Sequence, residues 1–189
     1  MSPRSLLERL ADFERRVRHL YLSLGDRTAF SAEVRFFWNC MAEDERHHLA
    51  ILERSTGLLD LIELPPQVSE AQLNSVEATV TAAEVAIGKS EVSSDEAFRQ
   101  ALILEGSELN SLDTAWFQGF RPTLSALLQA MTPEEEIHLR RLVEAVHAFS
   151  TDKALQQQAA ILWTTYQHQQ SGALKMPPAK CGAHGVRCE

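Results

Sequence analysis

Apolar residues recur at helical spacing in five stretches of the chain. The first runs from Ser5 to about Leu24, with Leu6, Leu10, Phe13, Val17, Leu20 and Leu24 forming one stripe, and Gly25-Asp26 supplies the stop. The second runs from about Ser31 to about Ser55, with Val34, Phe37, Met41 and Leu52 on its seam and Gly57 past its end. Ser94-Asp95-Glu96 opens the third, which carries Phe98, Ala101, Leu102, Leu109, Leu112 and Trp116. Gly119 and Pro122 precede the fourth, whose seam holds Leu128, Met131, Leu142 and Phe149. Thr151-Asp152 caps a fifth pattern over about 152–171, with Leu155, Leu162, Trp163 and Tyr166 free to pack inward. Residues 58–93 differ: Leu64-Pro65-Pro66 forces an extended piece, and the mainly polar run from Ser69 to Gly88 reads as one or two short crossover helices. Two helix pairs joined by a crossover long enough to span them predict an all-α fold. Its form is a four-helix bundle over residues 1–172 with one long crossover and an additional C-terminal helix, the short connections making neighbours antiparallel. Residues 173–189 carry Pro177-Pro178 and no helical pattern, and are expected to form a flexible tail.

Polar residues interrupt these stripes at regular places. Glu14 lies in the first, Glu45 and His48 in the second, Glu105 and Glu108 in the third, and Glu135 and His138 in the fourth. Residues three apart share a helix face, so each Glu-x-x-His pair can grip one metal ion. The spacing repeats: Glu14 to Glu45 is 45 − 14 = 31 residues, and Glu105 to Glu135 is 135 − 105 = 30. A third match, Glu144-Ala-Val-His147, falls on the opposite side of its helix and reads as a solvated face. His47 likewise points away from His48. Four inward carboxylates at about 5 Å would repel by roughly 3 kcal/mol per pair at an effective dielectric of 20. Over six pairs that is on the order of 20 kcal/mol, more than the about 5–15 kcal/mol that stabilises a typical domain. Protons or cations must neutralise them. Two divalent ions balance four carboxylates, and oxygen-rich ligands with one His per ion suit iron or manganese better than zinc.

Composition narrows the partners. A formal net charge of −8 disfavours nucleic acid and anionic membrane surfaces. No apolar run approaches the ~20 residues of a membrane span, and Met1-Ser2-Pro3-Arg4 leads straight into an amphipathic pattern, so a cytoplasmic location is expected. Three cysteines, Cys40, Cys181 and Cys188, do not make a disulfide framework. The tail cluster Cys181, His184 and Cys188 is a weak soft-metal candidate.

Over about residues 5–150 the chain resembles the rubrerythrin and ferritin-like di-iron family. Glu14 and Tyr21 look like that family's first-helix Glu and the Tyr seven residues on that hydrogen-bonds the site. Glu45-Arg46-His47-His48 looks like its second-helix Glu-x-x-His. Glu105-Gly106-Ser107-Glu108 is similar to the third-helix Glu-x-x-Glu of rubrerythrins, and Glu135 with His138 looks like the fourth-helix pair. The resemblance implies a ferritin-like bundle holding two irons, with manganese as the other candidate, that reduces hydrogen peroxide or dioxygen. In that scheme Glu45 and Glu135 bridge or flank the ions and Glu14 and Glu105 are terminal. His48 and His138 each complete one ion, Glu108 adds a fifth carboxylate, and Tyr21 takes the catalytic supporting part. The rubredoxin domain of rubrerythrins, with its paired Cys-x-x-Cys, is missing here, so electrons come from a separate donor protein; a homodimer is the expected assembly. Two other functions fit the same residues: ferroxidase iron handling, or a metal-free bundle that binds a partner. Thr132-Pro133 leaves a second reading of Glu135, because Thr132-x-x-Glu135 is also a capping box. Glu14 paired with Arg18, and Glu108 in solvent, are the corresponding alternatives at those positions.

Overall fold

The structure, a computed structural model, describes the backbone of residues 3–55, 69–108 and 122–173, and side chains over 4–54, 69–107 and 135–170. Six helices are described: α1 Pro3–Gly25, α2 Ala32–Ser55, α3 Glu70–Ile87, α4 Ser94–Glu108, α5 Pro122–Phe149 and α6 Lys153–Ala173. No strand occurs among the described residues, and the fold is an all-helical bundle. None of the described helices is long and apolar enough to cross a membrane.

Side chains start the helices by accepting the first free N–H groups. Ser31 Oγ accepts from Val34 N–H at 3.3 Å, and Ser93 Oγ from Glu96 N–H at 3.1 Å, so the α4 cap is Ser93, one residue before the predicted start. Ser69 and Gln72 form a reciprocal capping box that opens a single crossover helix, not two. Asp152 Oδ1 accepts from Ala154 N–H at 2.9 Å and Leu155 N–H at 3.3 Å, as expected for a cap on α6. Pro122 occupies the first position of α5, where a missing N–H costs nothing.

Ion pairs and hydrogen bonds between helices fix their directions. Arg15 of α1 reaches Glu53 of α2 at 3.7 Å, and Gly25 closes against Asn39, so these two helices are antiparallel. Arg9 meets Glu70 and Glu77 at 2.6 and 2.9 Å, Arg16 meets Glu84 at 2.7 Å, and Arg27 meets the Ile87 carbonyl. The crossover helix α3 therefore runs parallel to α1 and returns the chain to the other end. There α4 begins, passing back along α3 with Ser107 and Thr79 at 3.4 Å. Asp44 contacts His138 and Arg141, while Phe36 and Phe149 share a groove, so α5 is antiparallel to α2. Helix α6 packs along α4 and α5.

Every described apolar residue of the α1 and α2 stripes is buried, as are Phe98, Ala101, Leu102, Leu142, Leu155, Leu162 and Tyr166. Two positions differ from the expected pattern. Phe149 is 41% exposed, because it is the last residue of α5 and the chain turns away at Ser150. Trp38, outside the predicted seam, is fully buried and packs against Tyr21 at 5.5 Å, Phe98 at 5.1 Å and Phe37 at 4.6 Å between ring centroids. Trp38→Ala is expected to cost about 3–5 kcal/mol. The measurement is a lower urea midpoint with unchanged slope.

Several expectations fall outside the described residues: Gly57 and the extended Leu64-Pro65-Pro66 piece, the third helix beyond Glu108 to Trp116, and the break at Gly119. So do the side chains of Glu108, Leu128 and Met131, and the tail with Cys181, His184 and Cys188.

Candidate metal centre

Four helices each bring acidic or imidazole side chains to one place in the core. Helix α1 supplies Glu14 and Tyr21, α2 supplies Glu45 and His48, α4 supplies Glu105, and α5 supplies Glu135 and His138. Glu45, His48, Glu105 and His138 are all buried, with His138 sealed completely. The periodicity of each helix explains this placement. On α2, for example, Met41, Glu45, His48 and Leu52 follow one another up the same inward face.

The side chains form two groups that share a residue. Glu14, Glu45 and His48 offer ligand atoms within 4.8 Å of one another, and so do Glu45, Glu105 and His138. His48 Nδ1 lies 3.2 Å from Glu45 Oε2 and 3.6 Å from Glu14 Oε2, with Nε2 3.7 Å from Glu135 Oε2. His138 Nε2 lies 3.3 Å from Glu45 Oε1 and 3.1 Å from Glu105 Oε1. Glu45 thus turns one oxygen to each imidazole, and the two rings sit 5.4 Å apart. Tyr21 donates to Glu105 Oε1 at 2.6 Å.

Glu135 faces His48 but is a quarter exposed and belongs to neither group. Its capping alternative is excluded by the backbone: α5 begins at Pro122 and runs unbroken through Thr132 and Pro133, so Thr132 starts no helix. The Glu14–Arg18 alternative gives way to the Glu14–His48 contact. His47, Glu144 and His147 are exposed, as expected.

Two contributors were not anticipated. Asp44 Oδ2 lies 3.3 Å from His138 Nδ1 and also meets Arg141, joining α2 to α5. A carboxylate on the far nitrogen of an imidazole fixes its ring and tautomer and leaves the other nitrogen facing the cluster. The signal was present in the sequence: Asp44 adjoins Glu45, and Arg141 lies one helical turn beyond His138.

Charge inside this cage is shared between the buried carboxylates and the two imidazoles. Burial by itself would lower both imidazoles. The carboxylates of Glu14 and Glu45 instead hold His48 well above its usual range, and Glu105, Glu45 and Asp44 do the same for His138. Burial, reinforced by Glu14, pushes Glu45 well up, and burial with Glu105 and Glu14 pushes Glu135 up. Glu14 opposes its own burial through the His48 contacts and ends below the usual carboxylate range. Protonated imidazoles therefore act as the counter-charges of the metal-free chain. Even so, His48 Nε2, His138 Nε2 and Glu14 Oε2 are buried without closing a hydrogen bond. Such groups are rare in folded proteins.

No family model, curated protein or solved structure matches this chain. The chemistry open to the site follows from its own donors. Hard carboxylate oxygens with one imidazole per group fit iron or manganese, and no thiolate among the described residues competes for a softer ion.

Proposed function

We propose that this cluster is a dinuclear metal centre and that the protein is a di-iron oxidoreductase, of rubrerythrin type in a ferritin-like bundle. It reduces hydrogen peroxide or dioxygen with electrons from a separate donor. One observation supports the reading above the others: two ligand groups meet at the shared carboxylate of Glu45 while buried imidazole nitrogens face inward among carboxylates without closing a hydrogen bond. A bundle built for partner binding alone has no use for such a costly interior.

Glu14, Glu45 and His48 would hold one ion and Glu45, Glu105 and His138 the other, with Glu135 beside the first. When bound, such ions cycle between two oxidation states and can supply two electrons to an O–O bond. A peroxide taking up two electrons and two protons leaves as two waters. Met41 and Leu142, one helical turn from Glu45 and His138 on the same inward faces, are buried and cover the cluster with apolar surface. Tyr21 fixes the orientation of the Glu105 carboxylate through its hydroxyl hydrogen bond. Glu135, the most exposed of the carboxylates, is placed to exchange protons with solvent.

Metal analysis of protein purified without chelator should find two ions per chain, and peroxide should be consumed under a chemical reductant. A metal-free, inactive protein whose melting ignores added Fe(II) would overturn the proposal. Uptake far above two ions per chain by a large assembly in light scattering would redirect it to iron storage. Asp44→Ala should weaken the ion at His138 by about 10–100-fold, read as a shift in a Mn(II) titration that leaves the His48 ion less affected.

A further inference from the structure

On the face where α2 meets α5, a groove of about 590 Å³ is lined by Phe36, Phe37, Cys40, Arg141 and Phe149. Its floor is continuous with the metal centre through aromatic rings. Phe37, almost wholly buried, forms the groove wall and meets the Trp38 ring edge-on at 4.6 Å. Trp38 stacks on Tyr21 at 5.5 Å and 27°, and Tyr21 donates its hydroxyl to Glu105 Oε1 at 2.6 Å.

We propose that Trp38 and Tyr21 are an electron relay, carrying single electrons from the α2/α5 surface to the centre. This rests on the redox reading of the cluster given above. The two rings are suited to different parts. The Trp38 indole N–H is buried and closes no hydrogen bond. An indole that has lost an electron there has no base to take its proton, so it is refilled from outside as readily as it was emptied. Tyr21 has a carboxylate acceptor in place. An electron drawn from the Tyr21 ring toward the centre is accompanied by its hydroxyl proton moving to Glu105. An electron from Trp38 then restores Tyr21 as the proton returns, and the one-electron donor, itself oxidised, restores Trp38. Tyr21, Trp38 and Glu105 end unchanged, one electron has reached the centre, and peroxide or dioxygen is the final acceptor. Phe37 takes no charge and provides close contact between Trp38 and the groove.

Cys40 in the groove allows a direct test on the full-length chain without requiring metal. With Cys181 and Cys188 changed to Ser, a ruthenium polypyridyl complex is attached to Cys40. A flash in the presence of hexaammineruthenium(III) then creates a strong oxidant at the groove. The expected result is a transient tyrosyl absorbance that vanishes in Tyr21→Phe. It should fall by an order of magnitude in Trp38→Phe and return in Trp38→Tyr, which restores an oxidisable ring. Thermal melts of the three variants show that each is folded. A tyrosyl signal of unchanged yield in folded Trp38→Phe, or one that survives Tyr21→Phe, would overturn the relay. Since the readout needs no ion, a failed relay is separate from a failed metal assignment, which the metal analysis decides.

Discussion

Glu45→Ala is expected to empty both metal positions at once, whereas Glu14→Ala and Glu105→Ala each remove one. Glu45 is the carboxylate common to the two groups, with one oxygen toward His48 and the other toward His138. A ligand that binds only the folded state at a hundred times its dissociation constant adds about 2.7 kcal/mol of stability. For a chain of this size each kcal/mol moves the melting temperature by roughly 2–4 °C. Wild-type protein should therefore melt about 5–10 °C higher per bound ion, and Glu45→Ala should show no shift with Mn(II). Two ions per chain retained in that variant would refute the shared-ligand geometry.

The second large effect is an inversion of pH dependence on metal binding. In the metal-free chain His48 and His138 have raised values, so their contribution is complete below about 6.5 and is lost as pH climbs through the folded-state value. Glu45 and Glu135, also raised, act in the same direction: their neutral forms suit the buried site, and ionising them with rising pH weakens it. The lowered Glu14 and Asp44 act oppositely, and their contribution disappears only as pH falls through the carboxylate range. Chelator-treated protein should thus be most stable on the acid side of neutrality and soften as pH rises through 7. Metal competes with protons for the same imidazoles and carboxylates, so the stabilisation by Mn(II) should grow with pH. Melting curves across pH with chelator and with Mn(II) should slope in opposite directions. Parallel slopes would mean that no proton is displaced.

Much of this was legible in the sequence because helical periodicity carries both core and site. The inward faces of α1, α2, α4 and α5 were readable from Leu, Phe and Val spacing, and the charged residues on those faces marked the cluster before any coordinates. Glu14, Tyr21, Glu45, His48, Glu105, Glu135 and His138 do converge. Less visible were effects that depend on what a neighbouring helix presents. The depth of Trp38 follows from three surrounding aromatic rings on α1, α2 and α4. The importance of Asp44 follows from His138 and Arg141, nearly a hundred positions away in the chain. Thr132-Pro133 left a helix start open as the alternative to a seam running from Leu128 to Phe149, and the helix passes through it.

The Asp44 bridge has one further consequence. His138 has no exposed surface, while Arg141 is about a third exposed and forms part of the groove wall. Asp44 is itself a fifth exposed, so the sealed imidazole meets the solvent side of the bundle through this carboxylate, and Arg141, which keeps its proton at any working pH, holds that carboxylate charged in place.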